Sequence, residues 1–190
     1  MEALDPKRTA VVLIDLQRRI VDLPTAPHTG AEVVTRCVAV AEAARAAGAT
    51  VVVVRVDRPG PDPQPAGSEL VPEAVPRPGD LEIVKHSWGA FHETGLDAAL
   101  RERGVDTLVI AGLVTNFGVE QTARVAEEIG YRVVLPHDAM SGLDAHVHEF
   151  AVDYIFRRLG TVCSTDEAVA ALRGSPAVVE PDPVQIRTDR

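Results

Sequence analysis

A three-layer α/β domain, with a mainly parallel sheet flanked by helices in a Rossmann-like arrangement, is the fold that this 190-residue sequence predicts. Three observations predict it. Short runs that are apolar throughout, such as Thr9–Ile14 (TAVVLI) and Thr50–Val56 (TVVVVRV), read as strands buried on both faces, the pattern of a parallel sheet. These runs alternate with helical stretches that stop at glycines, as at Gly48, Gly104 and Gly130. Strands alternating with helices place the helices on both faces, joined by right-handed crossovers.

Taken in order, Thr9–Ile14 is the first strand and ends abruptly at Asp15. A helix covers 31–47 and Thr50–Val56 follows as the second strand. Leu81–Val84 is a short third strand leading into Lys85. A helix from Leu96 to Arg103 precedes the strand Thr107–Ala111, and the next helix runs from Gly118 to Ile129. Arg132–Leu135 is a strand, 145–159 a helix and Thr161–Cys163 a last short strand. Thr165 is the expected cap of a final helix ending at Leu172. Residues 57–80 break the pattern with seven prolines, and a loop of that length suggests a lid or an oligomer contact. The reading gives one domain over 1–173 and a Pro- and charge-rich tail over 174–190, poorly ordered or draped on a neighbouring subunit. No internal repeat is visible.

Composition bounds the partners. With 46% hydrophobic and 25% charged residues the chain reads as a soluble globular protein, long enough for a proper core. A formal net charge of −9 argues against nucleic acid and against an anionic membrane surface. Cys37 and Cys163 are too few for a disulfide framework and read as small core residues. The first residues lack a basic stretch followed by an apolar one, and no apolar run approaches the roughly 20 residues that span a bilayer. A cytoplasmic location is the expectation.

In an open parallel sheet, ligands bind beyond the carboxyl ends of the strands where the topology reverses. The polar residues at those ends are Asp15, Asp57 with Arg58, Lys85, the turn Thr115–Gly118, and Asp138. Of these, Asp15, Lys85 and the turn are expected to converge. Position 118 stands at the opening of a helix, where free N–H groups and the dipole suit a thiolate or an oxyanion. It carries glycine, so no side-chain nucleophile acts from there. The histidines do not group as metal ligands: His146 and His148 are two apart on a helix and diverge, and His137-Asp138 reads as a hydrogen-bonding pair. Neither a metal nor a cofactor is expected.

Three stretches, in this order and spacing, resemble the isochorismatase-like (cysteine hydrolase) superfamily: Val12-Leu13-Ile14-Asp15-Leu16-Gln17, Val84-Lys85-His86-Ser87-Trp88-Gly89-Ala90-Phe91, and Gly112-Leu113-Val114-Thr115-Asn116. The match continues through Val119–Ala123 and Gly130-Tyr131 to Asp138-Ala139, so that it spans 8–173. The resemblance implies that Asp15 and Lys85 are the catalytic pair and that a non-proline cis peptide lies near Val114-Thr115. Most members of the superfamily carry a cysteine where this chain has Gly118; true isochorismatases carry glycine. In them an aspartic acid protonates a vinyl ether and the resulting cation takes up water, so Asp15 would be the general acid.

Two effects oppose each other there: a neighbouring Lys85 favours ionised Asp15, while burial or an anionic substrate favours the protonated form. Gln17, Arg58, Trp88, Phe91, Val114, Thr115, Asn116 and Phe117 are the candidates for lining the substrate site, with Arg58 and Lys85 as cationic contacts for a carboxylate. Metal-using relatives place Asp-x-His after the second strand, whereas this chain has Asp57-Arg58-Pro59. The partners implied are a small-molecule substrate and further copies of the chain, as a dimer or tetramer, with the 57–80 loop and the helix after Gly142 as contacts. The alternatives are a descendant that only binds a metabolite or partner, and an amidase-like hydrolase in which Asp15 activates water.

Overall fold

In the computed structural model, which describes residues 1–58, 60 and 63–174, seven strands form one parallel sheet. The strands are β1 Thr9–Ile14, β2 Thr50–Val56, β3 Leu81–Lys85, β4 Thr107–Leu113, β5 Arg132–Pro136, β6 Met140–Ser141 and β7 Gly160–Cys163. Their order is β3-β2-β1-β4-β5-β7, with the two-residue β6 pairing beside β4. The chain therefore winds outward in one direction from β1 and in the other from β4, and the reversal lies between those two strands.

The apolar runs divide by parity, as period-2 geometry requires. Val11, Leu13, Val51, Val53, Val109 and Ala111 pack beneath α2 (Gly30–Ala47) and α7 (Thr165–Leu172). Ala10, Val12, Ile14, Val52, Val54, Leu108 and Ile110 face α3 (Leu96–Glu102), α4 (Glu120–Glu128) and the segment from α5 (Ala145–Phe150) to α6 (Arg157–Leu159). Two apolar faces on one sheet make the three layers. Gly112, at φ 123°, is forced: a Cβ there would lie 2.2 Å from the Ile14 carbonyl oxygen on β1.

Several boundaries differ from the sequence reading. The helix expected over 145–159 is α5, a π-helical stretch Ala151–Phe156, and α6. A short helix α1 (Arg18–Val21) was not anticipated. Ser164, not Thr165, caps α7, because Ser164 and Glu167 bond each other's backbone N–H in a capping box. Thr165 instead donates, through N–H and Oγ1, to Asp138 Oδ1 at 2.7 and 2.8 Å. That contact takes Asp138 into a structural tie rather than the expected pairing with His137. Among the described residues, no helix is long and apolar enough to cross a membrane. The expectation for the tail falls on 175–190, outside the described residues.

The described part of the 57–80 loop is a strap rather than a lid. Arg19 N–H donates to Gly67 O, Arg18 N–H to Glu69 O and Val71 N–H to Leu16 O, at 2.8 to 3.0 Å. Gln17 sits beneath, fully buried; its amide donates to Ser68 O (2.5 Å) and Val56 O (3.1 Å) and accepts from Val56 N–H (2.9 Å). With its amide consumed in this way, Gln17 has no group left for the substrate role expected of it. Gln17→Leu keeps the volume but orphans those backbone groups, so it should lower unfolding free energy by about 2–3 kcal/mol in urea titration; an unchanged midpoint would show that the clamp is not needed.

Candidate active site

A cavity of about 410 Å³ opens beyond the carboxyl ends of β1, β2, β3 and β4. Asp15, the first residue after β1, anchors its N–H on Val54 O at 2.9 Å and adopts φ 53°. Aspartate enters this left-handed region more readily than most residues, and such a conformation marks sites where function sets the backbone. Lys85 ends β3, two strands away, yet its Nζ lies 2.9 Å from Asp15 Oδ2. The same ammonium donates to Ser87 O (3.2 Å) and Trp88 O (2.7 Å). Its three N–H groups are thereby engaged, which corrects the expectation that Lys85 would contact a substrate carboxylate.

Both side chains are buried, at 2% and 7% exposure for Lys85 and Asp15. Burial pushes the Asp15 carboxyl up to about 6, against the opposing pull of the Lys85 charge, the Lys85 hydrogen bond and the Arg19 charge. Asp15 Oδ1 has no hydrogen-bond partner. One oxygen is held by lysine and the other is shielded from solvent.

Gly118 faces this pair. It lies in a π-helical turn, Thr115–Val119, between β4 and α4. A Cβ at position 118 would stand 3.2 Å from Asp15 Oδ2, 3.4 Å from Lys85 Nζ and 3.0 Å from Ile14 Cγ2. The non-proline cis peptide is Leu113-Val114, one bond earlier than expected. Thr122 ties the turn to the loop after β3: its hydroxyl donates to Gly118 O (2.6 Å) and accepts from Ala90 N–H (3.1 Å).

Of the expected lining residues, Arg58, Trp88, Val114 and Phe117 border the cavity with Asp15, Lys85 and Gly118; Gln17, Phe91, Thr115 and Asn116 do not. Thr115 is fully buried, with Oγ1 2.8 Å from His148 Nδ1, so its hydroxyl braces α5. The same burial holds His148 down to about 4, with His28 and His137 adding to the shift. Phe91 packs on Tyr131, ring centroids 5.9 Å apart, away from the opening. Sequence reasoning missed Arg19, Ile20, Leu23, His86 and Leu143, which also line the cavity. Arg19 and Leu23 had one available signal, their closeness to Asp15 in the chain. Leu143 lies 128 positions on from Asp15 and had none. Trp88 and Phe117 pack at the mouth, with centroids 5.0 Å apart and ring planes tilted by 38°.

A doubly wound parallel sheet with a buried carboxylate–lysine pair beyond the carboxyl ends of its strands is a Rossmann-like α/β domain with a candidate active site. The chain belongs to the isochorismatase family: the isochorismatase domain matches residues 9–167. It is 39% identical over 190 residues to YecD of Escherichia coli O157:H7, described as an uncharacterized isochorismatase family protein, covering 90% of this chain and 100% of that one. The structure of an isochorismatase family protein from Burkholderia thailandensis superposes with a TM-score of 0.82 at 37% identity, covering 90% of this chain and 98% of the other. Ureidoacrylate amidohydrolase RutB of Caulobacter vibrioides is 31% identical over 175 residues, 72% of this chain and 78% of RutB.

Gly118→Cys tests the pre-organisation of the site. A thiol placed beside the Lys85 ammonium should react with iodoacetamide at neutral pH at least about tenfold faster than an ordinary cysteine thiol. The native thiols form a silent background, because burial pushes Cys163 up to about 12 and Cys37 higher still. An introduced thiol as unreactive as these two would mean that the pair does not activate what stands at 118.

Proposed function

We propose that this chain hydrolyses a small molecule without a covalent thiol intermediate, with isochorismate-type vinyl-ether cleavage as the reference chemistry and Asp15 as general acid. The observation that carries the reading is the state of the Asp15 carboxyl: Oδ2 bound by Lys85, Oδ1 shielded and unpartnered, and the group protonated up to about pH 6. Glycine at 118, as in true isochorismatases rather than the cysteine hydrolases, supports it by leaving no nucleophilic side chain beside the pair.

In this mechanism the proton of the Asp15 carboxyl passes to the terminal methylene carbon of the enol ether. The cation left at the ether-bearing carbon takes up water, whose proton returns to Asp15. The hemiketal then collapses to pyruvate and the ring alcohol. Lys85 remains on Oδ2 and stabilises the carboxylate formed when the proton leaves. Trp88, Phe117 and Val114 form the apolar wall beside the reacting group, and neither a metal nor a cofactor enters a step.

Purified protein should release pyruvate from isochorismate, and Asp15→Asn should lower the rate by about 10²–10⁴-fold. Because the protonated carboxyl is the active form, the rate should fall as pH rises through about 6. Similarity to an amidohydrolase favours a second reading, in which ionised Asp15 activates water beside Gly118. That reading requires the opposite slope, with activity lost as pH falls through the same value. Absence of pyruvate at high enzyme concentration would remove the vinyl-ether reading.

The proposal includes a homo-oligomer joined through a second copy at α5. Leu143, Val147, Phe150 and Tyr154 are 41–59% exposed and recur at helical spacing, starting at the cavity rim. Acidic Glu149 and Asp153 precede basic Arg157 and Arg158, so an antiparallel copy across a two-fold axis would meet complementary charge. Phe150→Asp should convert the oligomer to monomer in sedimentation velocity; a wild-type monomer would refute the contact.

A further inference from the structure

Among the described residues, the cavity contains one half-buried cation that no carboxylate partners. Lys85 is committed to Asp15 and two carbonyls. Asp57 is neutralised from outside the cavity by Arg55, at 2.5 Å. His86 Nδ1 donates to Asp57 O at 3.0 Å, since a carbonyl oxygen can only accept. Arg58 is exposed at the rim. Arg19 remains: half-buried, lining the cavity, and without a carboxylate partner among the described residues.

Arg19 is also held in place. Its Nε donates to Ser68 Oγ (3.1 Å), its Nη2 to Val56 O (3.4 Å), and its backbone is fixed to Gly67 by the strap. A guanidinium carries five N–H groups, so donors remain for a ligand. The geometry points to Arg19 as the anchor for a carboxylate on the substrate, and to that carboxylate as a neighbour that acts on Asp15. The inference rests on the reading of this cavity as the active site, and it names a substrate class: a planar or conjugated carboxylate, its anionic end on Arg19 and its flat body under Trp88 and Phe117.

The coupling is a matter of linkage. The Arg19 charge lowers the Asp15 pKa. An anion at Arg19 removes that influence and adds repulsion, so the pKa rises and anion binding takes up a proton. By reciprocity, anion affinity must climb as pH falls toward about 6 and level off below it. The groups facing Asp15 are Arg19 from α1, Asp57 and Arg58 from the end of β2, and Lys85 and His86 from β3. Replacing Asp15 separates its contribution from that of His86.

Trp88 is the sole tryptophan and stands at the cavity mouth, so its fluorescence reports occupancy. Benzoate should quench it saturably and at least about tenfold more tightly than benzamide, its neutral counterpart. Arg19→Gln should abolish that preference, Arg19→Lys should restore part of it, and Arg58→Gln, which removes one rim charge without the anchor, should cost less. The rise of benzoate affinity with falling pH should vanish in Asp15→Asn. Equal binding of the two probes, no response to either, equal losses in Arg19→Gln and Arg58→Gln, or a pH dependence that survives Asp15→Asn would each overturn the inference. A benzoate preference that behaves as described, together with no turnover of isochorismate, would retire only the vinyl-ether substrate.

Discussion

The buried ion pair between Asp15 and Lys85 is the constraint on which the rest of the site depends. Moving both charges out of water costs several kcal/mol per ion, and the pair is tolerated only because further polar groups complete it. For Lys85 those groups are the Ser87 and Trp88 carbonyls, which bend the loop after β3 back over the ammonium. Asp15 has no equivalent supply. One oxygen is unpartnered, and the unbalanced desolvation lifts its pKa. The asymmetry is the useful part: a lysine with its hydrogen bonds complete stays fixed while the carboxyl can exchange its proton.

That pair also explains the strap. β2 lies between β1 and β3, so Asp15 and Lys85 meet above the end of β2, and the chain leaving β1 must turn sharply at once. The turn leaves the backbone of 16–19 without sheet partners. Residues 67–71 supply them, and the Gln17 amide satisfies the end of β2 from below. A loop with many prolines suits this task, because fixed φ angles lower the entropy lost on docking. Among the described residues beyond Arg58, the loop does not line the cavity; its contribution is to hold α1, and with it Arg19.

Much of this was legible in the sequence, and the boundary of legibility is physical. Strands buried on both faces are runs of one kind of residue, so β1, β2 and β4 stood out, and the residues at their carboxyl ends followed from topology. Asp15, Lys85 and the Gly118 turn converge for that reason. Gln17, Thr115 and Phe91 have the chemistry of ligand contacts, but their partners, Ser68, His148 and Tyr131, lie 33 to 51 positions away or pack in another layer. No local pattern tells a polar side chain that faces a cavity from one consumed by a distant backbone. Arg19 was overlooked for the converse reason: an arginine beside another arginine reads as a solvated face until the strap shows one of them turned inward.

Glycine at 118 then decides which chemistry the pair can support. With a thiol on a Cβ that stands 3.2 Å from Asp15 Oδ2 and 3.4 Å from Lys85 Nζ, the pair would share its charge with a third ionisable group, and the carboxylate would serve as that group's base. Without one, Lys85 is the hydrogen-bond partner of Asp15, and burial outweighs its pull on the carboxyl. A carboxyl lifted to about 6 holds its proton too loosely to be inert and too tightly to be empty near neutrality. An anion on Arg19 would push it further toward the donor form when substrate is present. On the proposed reading, an Asp–Lys pair that would activate a nucleophile beside it presents a proton instead when position 118 carries glycine.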